Sequence, residues 1–134
     1  MNKKLFISDL SLVLGNNKNE SKVLTNINFD LEESEIGCIL GPSGCGKSSL
    51  LRAIAGFENI NSGSILKDGV CISNSLENTS VQDRKMGMVF QDYALFPNMD
   101  VKTNIAFGLK DATKKEKEDR VNSVSYTHLT LPTN

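Results

Sequence analysis

Residues 41–49 read GPSGCGKSS, an order of residue types suited to holding a chain of phosphates. Gly41, Gly44 and Gly46 permit backbone angles and a closeness of approach that a side chain would block. The loop also runs through Pro42, Ser43 and Cys45. Its successive amide N–H groups turn inward onto phosphate oxygens, and a helix starting where it ends adds partial positive charge at the same spot. Lys47 reaches the β- and γ-phosphates, Ser48 offers its hydroxyl to Mg²⁺, and Ser49 faces the α-phosphate side. The spacing fits G-x-x-x-x-G-K-[ST]. The plainer alternative is a glycine-rich strand-to-helix turn with a solvent lysine.

The loop does not choose a reaction, because GTPases, kinases and transport ATPases share it. A GTPase should show N-K-x-D downstream; Asn17-Lys18-Asn19-Glu20 lies upstream and ends in Glu. A small-molecule kinase needs a lid and substrate arginines, and Arg52, Arg84 and Arg120 are few and scattered. Cys45, expected at a helix N-terminus, is a candidate reactive thiol; the alternative is a small residue that simply fits.

The elements around the loop must position it. Ile36-Gly-Cys-Ile-Leu40 is a short apolar run, expected as a strand covered on both faces. After the loop, Leu50, Leu51, Ile54 and Ala55 form a helical apolar face, with Gly56 as its C-terminal cap. Residues 4–14 read as two short strands broken at Ser8-Asp9, and residues 27–31 as a half-buried strand. Residues 65–72 form a hairpin around Asp68-Gly69. Residues 86–90 read as another buried strand, 91–100 as a loop, and 101–109 as a short helix.

Composition limits the rest. A chain of 134 residues, 39% hydrophobic and 23% charged, fits one globular domain. A net charge of −1 gives no electrostatic case for nucleic acid or an anionic membrane. Cys38, Cys45 and Cys71 are odd in number and unevenly spaced, against a disulfide framework or a zinc site and for a reducing compartment. No apolar run approaches the roughly 20 residues of a membrane span.

GPSGCGKSSLLRAIAGFENINSG (41–63) and RKMGMVFQDYALFPNMDVKTNIAFGL (84–109) together resemble the ATP-binding subunit of an ABC-type importer over most of residues 3–122. The resemblance implies an α/β fold: a P-loop core, incomplete here, with an N-terminal antiparallel β subdomain. It implies ATP and Mg²⁺ as cofactors, with Gln91 binding Mg²⁺ and the attacking water and Lys47 acting on the γ-phosphate. Leu14 stands where the family places an aromatic on adenine; a leucine covers the ring without aromatic stacking. Ser34 replaces a usual turn glycine. The loop from Gln91 to Phe96, with Tyr93 and Leu95, would receive a helix of the membrane-spanning subunits, unless those apolar residues fold back locally. A second ATPase subunit is the other implied partner, at the cytoplasmic face of the membrane. Among importers the text leans toward the ferric-iron group.

The family also uses an LSGGQ-type signature, a strand ending in Asp-Glu and a switch histidine. None is in these residues; His128, the sole histidine, lacks that context. After Arg120 no further Lys, Arg, Asp or Glu occurs, and SVSYTHLTLPTN resembles translated adapter read-through at the end of a truncated gene. The expectation is therefore a cassette portion at 1–122 and a non-native tail at 123–134. A naturally short P-loop protein is the alternative. Nucleotide binding without useful hydrolysis is expected of the chain, whereas the parent would be a transport ATPase. Another P-loop enzyme and a non-catalytic binding module remain the other function classes.

Overall fold

The computed structural model describes residues 3–15, 19–92, 94–109 and 111–128, with the backbone alone at 125–128. The chain divides into two compact units, Met1–Met88 and Val89–Asn134.

The first unit is built on a four-stranded antiparallel sheet. Its strands are β1 (Lys3–Leu14), β2 (Ser21–Glu32), β3 (Ser62–Lys67) and β4 (Val70–Asn74), in the order β2-β1-β3-β4. β1 is a single strand, not the two expected. Ser8-Asp9 is a bulge within it: Asp9 takes φ 49°, and the register with β2 slips between Ile7 and Leu10. The slip has a packing reason. Leu5 and Ile7 are odd-numbered and Leu10 and Leu12 even-numbered, yet all four are buried. Only an extra residue between them lets both pairs face the core. Asn28 holds the bulge, accepting at Oδ1 from the Asp9 N–H at 2.8 Å.

The hairpin between β3 and β4 forms as the sequence predicts. Asp68 and Gly69 both take positive φ, 50° and 78°, the geometry a two-residue hairpin turn requires. Lys4 pairs with the Asp68 carboxylate at 2.9 Å, tying the turn to β1.

Helix α1 (Lys47–Ala55) packs on this sheet through Leu50, Ala53 and Ile54. With Ile7, Leu10, Leu12, Ile65 and Ile72 they form the core. Burying each such aliphatic side chain contributes about 1.5–3 kcal/mol. Gly56 caps the helix at φ 93°, as expected, its N–H donating to the Ala53 carbonyl at 3.2 Å.

Two expected strands do not form. Residues 36–40 and 86–90 join no ladder, and Ile36, Leu40 and Val89 are 97%, 86% and 90% exposed. An apolar run becomes a buried strand only where neighbouring strands satisfy its backbone groups. No described strand pairs with either segment. Residues 37–40 instead wall one side of an apolar groove of about 580 Å³, with Phe29 and Leu31 of β2 and Leu51 of α1 on the other sides.

The second unit holds α2 (Val101–Ala106) and α3 (Lys114–His128). α2 is shorter than the predicted 101–109. Asp100 caps it, accepting from the Thr103 N–H at 2.7 Å. α3 opens on a capping box: Thr113 N–H and hydroxyl both donate to Glu116 Oε2 at 2.7 Å. It runs past Asn122, so the helix continues where the charged residues end. The rest of the proposed tail, 129–134, lies outside the described residues, as do Tyr93, Asn17 and Lys18.

Candidate functional site

The geometry that matters is the junction of loop 41–46 with α1. Residues 41–45 are exposed. The loop is tightened by the Cys45 N–H donating to the Pro42 carbonyl at 3.4 Å. Gly46 is the last residue before the helix, at φ 95°. A Cβ there would stand 2.9 Å from both Leu24 Cδ2 and the Val23 carbonyl oxygen of β2. Glycine therefore does two things at position 46: it takes the left-handed turn, and it seats the helix start directly on the sheet.

The N-terminus of α1 carries no side-chain cap and no acidic residue in its first turn. Its first N–H groups keep their partial positive charge available to an anion. The Lys47 ammonium lies across the loop. It donates to the Gly41 carbonyl at 2.9 Å and the Pro42 carbonyl at 2.7 Å, and stands 3.6 Å from Cys45 Sγ. Among the described residues no carboxylate pairs with Lys47. Ser48 is exposed on the first turn and Ser49 half-buried beside it.

This arrangement suits a phosphate chain. It offers uncapped amides, one positive charge held by two neutral carbonyls and a thiol, and an exposed hydroxyl. It also suits Mg²⁺ carried in on phosphates. No group of three or more His, Cys, Asp or Glu that could hold a metal occurs among the described residues. A magnesium ion that keeps waters and phosphate oxygens needs only one protein ligand such as Ser48.

The structure brings Gly41, Pro42, Cys45 and Lys47 into contact, with Ser43, Gly44, Gly46, Ser48 and Ser49 continuous with them. Leu14, at the end of β1 in the same unit, is half-buried and packs against the core cluster. Gln91 lies in the second unit, exposed in a turn. Leu95 stays 68% exposed, whereas Phe96 folds back on Phe107 with ring centroids 4.4 Å apart. The side chain of His128 lies outside the described residues.

Three residues escaped the sequence reading. Asn104 braces the loop before α2, accepting from the Phe96 N–H at 2.9 Å and donating to the carbonyls of Phe96, Met99 and Asp100. Arg84 is 1% exposed and donates to carbonyls at the end of α1. Asn78 accepts from Arg84 and from the Ser73 hydroxyl. No local pattern marks an arginine or asparagine as buried; only its partners do. The signal that was present is the T-x-x-E spacing of Thr113 and Glu116, which announces a helix start.

The family model for the ABC transporter matches residues 24–131. The sulfate/thiosulfate import ATP-binding protein CysA of Pseudomonas syringae is 44% identical over 112 residues, 84% of this chain and 33% of that protein. The spermidine/putrescine import ATP-binding protein PotA of Thermotoga maritima is 48% identical over 101 residues, 75% of this chain and 26% of that protein. The chain thus spans about a quarter to a third of the length of these curated relatives. Among solved structures, the dimeric ATP-binding cassette MJ0796 bound to ADP and Pi superposes with a TM-score of 0.74 at 22% identity, covering 91% of this chain and 56% of that one. The fold is that of an ABC ATPase cassette in part: α/β, with the antiparallel sheet at its N-terminal end. Among the described residues no helix is long and apolar enough to cross a membrane.

Proposed function

The chain belongs to the ABC transporter family, and from that premise we propose that it is the nucleotide-binding portion of an importer's ATP-binding subunit. The observation that carries the proposal is the Lys47 ammonium resting on the Gly41 and Pro42 carbonyls beside the uncapped start of α1.

The amides of Gly44 to Ser49 would hold the phosphates, and Lys47 would leave its two carbonyls for the β- and γ-phosphate oxygens. Each such exchange replaces a neutral hydrogen bond with a charge-assisted one, about twice as strong. Ser48 would take one position on Mg²⁺, and Leu14 would cover the adenine. By the family resemblance, Gln91 would bind Mg²⁺ and the attacking water. Mg²⁺, when bound, would supply neutralisation of phosphate charge.

The importer reading draws support from CysA and PotA, the ATP-binding proteins of sulfate/thiosulfate import and of spermidine/putrescine import. We extend it to a small solute, with ferric iron the choice the sequence at 75–98 favours. The subunit would work at the cytoplasmic face of the membrane, paired with a second ATPase subunit. It would meet the membrane-spanning subunits through residues 91–96, where Leu95 is exposed.

Residues 1–122 are taken as cassette and 123–134 as a non-native tail, a reading supported by the loss of charged residues after Arg120. On this reading these residues would bind MgATP weakly and not hydrolyse it at a useful rate, because a signature sequence and an Asp-Glu strand end are not among them. Calorimetric titration with MgATP tests binding, with Lys47→Ala as the control, and phosphate release tests turnover. Steady hydrolysis that Lys47→Ala abolishes would overturn the inactive reading. Equal titrations for the two proteins would overturn the nucleotide reading.

A further inference from the structure

Arg84 is a buried cation: it is 1% exposed, and every acceptor it meets among the described residues is neutral. Nη1 donates to the Ala53 carbonyl at 3.0 Å and the Ile54 carbonyl at 2.7 Å. Nε donates to the Thr79 carbonyl at 2.9 Å, and Nη2 donates to Asn78 Oδ1. Burial pushes its pKa below the ordinary arginine value. What offsets that burial is the C-terminal end of α1, whose last carbonyls carry the negative end of the helix dipole.

The other end of the same helix is fixed just as closely. Gly46 sits against Val23 and Leu24 of β2 with no room for a Cβ. Between the two clamps lie the nine residues of α1, about 13 Å of helix. Two fixed ends define an axis. With the Arg84 end released, α1 can tilt about Gly46. A tilt of that kind hardly displaces the first turn but changes where its N–H groups point. Binding constellations need such directions held to about 10–20°.

We propose that Arg84 is a positioning residue for nucleotide binding: by holding the carbonyls of Ala53 and Ile54 it sets the direction of the first-turn N–H groups of Lys47 and Ser48. The inference rests on the nucleotide reading of loop 41–49. Linkage makes the effect reciprocal: if Arg84 sets the loop, nucleotide at the loop must be felt at Arg84.

The test uses the full chain with Arg84→Lys and Arg84→Met, each measured at a temperature where its far-UV circular dichroism matches the unsubstituted protein. MgATP affinity should fall about fivefold or more in Arg84→Met and recover in part in Arg84→Lys, which keeps the charge and one donor cluster. The amide resonances of Lys47 and Ser48 should move in both. A folded Arg84→Met that binds MgATP within twofold of the unsubstituted chain, with those resonances unmoved, overturns the proposal and leaves Arg84 a clamp for the fold alone. If neither variant folds, the Arg84 Nε–H resonance of the unsubstituted chain decides: movement on MgATP titration supports the proposal, and no movement overturns it. If the unsubstituted chain binds no MgATP, the nucleotide reading fails separately. The Lys47 and Ser48 amides of the variants then judge Arg84, movement supporting it and stillness overturning it.

Discussion

The ammonium of Lys47 donates to the carbonyl oxygen of Pro42 at 2.7 Å, five residues back along its own loop. The loop therefore holds its own cation where phosphate would arrive, on acceptors weaker than phosphate oxygens.

Replacing Lys47 should separate binding from folding. Its side chain contacts only loop atoms, so Lys47→Ala should leave the thermal midpoint within a degree or two. MgATP affinity should fall about 10- to 100-fold, from the loss of charged hydrogen bonds worth about 1.5–3 kcal/mol. Paired titration and melting curves check both halves.

Gly56→Ala should destabilise the first unit by about 1–3 kcal/mol. The new Cβ would stand 2.6 Å from Arg84 Nε at a φ of 93°. Urea unfolding followed by circular dichroism measures it; a change under about 0.5 kcal/mol would show that Arg84 gives way freely.

Acid should loosen the start of α3. Hydrogen bonds from Thr113, side chain first and backbone second, hold the Glu116 carboxyl below its ordinary value. A carboxyl with a lowered folded pKa stabilises in full above its unfolded pKa, about 4.3. That contribution is lost as pH falls through the lower folded value. Protection of the amides of residues 114–117, taken relative to the intrinsic exchange rate at each pH, should fall over that window, and Glu116→Gln should make that protection nearly independent of pH.

The groove predicts poor solution behaviour. Ile36 and Leu40 are almost fully exposed next to it, and exposed apolar surface of that kind drives association. Leu40→Lys should reduce light scattering at a fixed concentration without lowering the thermal midpoint. A monodisperse unsubstituted chain would count against the idea.

Legibility followed locality. The turn of loop 41–46 into α1, the Gly56 cap and the Asp68-Gly69 turn were readable because each is decided by adjacent residues. Residues 36–40 and 86–90 read as buried strands, but a strand is a property of its neighbours, and no described strand pairs with them. The break at Ser8-Asp9 was visible as a break. That it is a bulge in one continuous strand depends on Asn28, nineteen residues away. Arg84 looked like one scattered arginine, since its meaning lies in carbonyls thirty and thirty-one residues upstream. The site shows the same division: the loop could be read as text, and the clamp on its helix could not.

The contact between Gly56 and Arg84 also limits how the gene can drift. Every amino acid that a single base change can substitute for glycine carries a Cβ, and at position 56 any Cβ meets the guanidinium. Shrinking position 84 would remove that contact but not the strain of a φ of 93°, so a lineage leaves glycine at 56 at a cost whatever stands at 84.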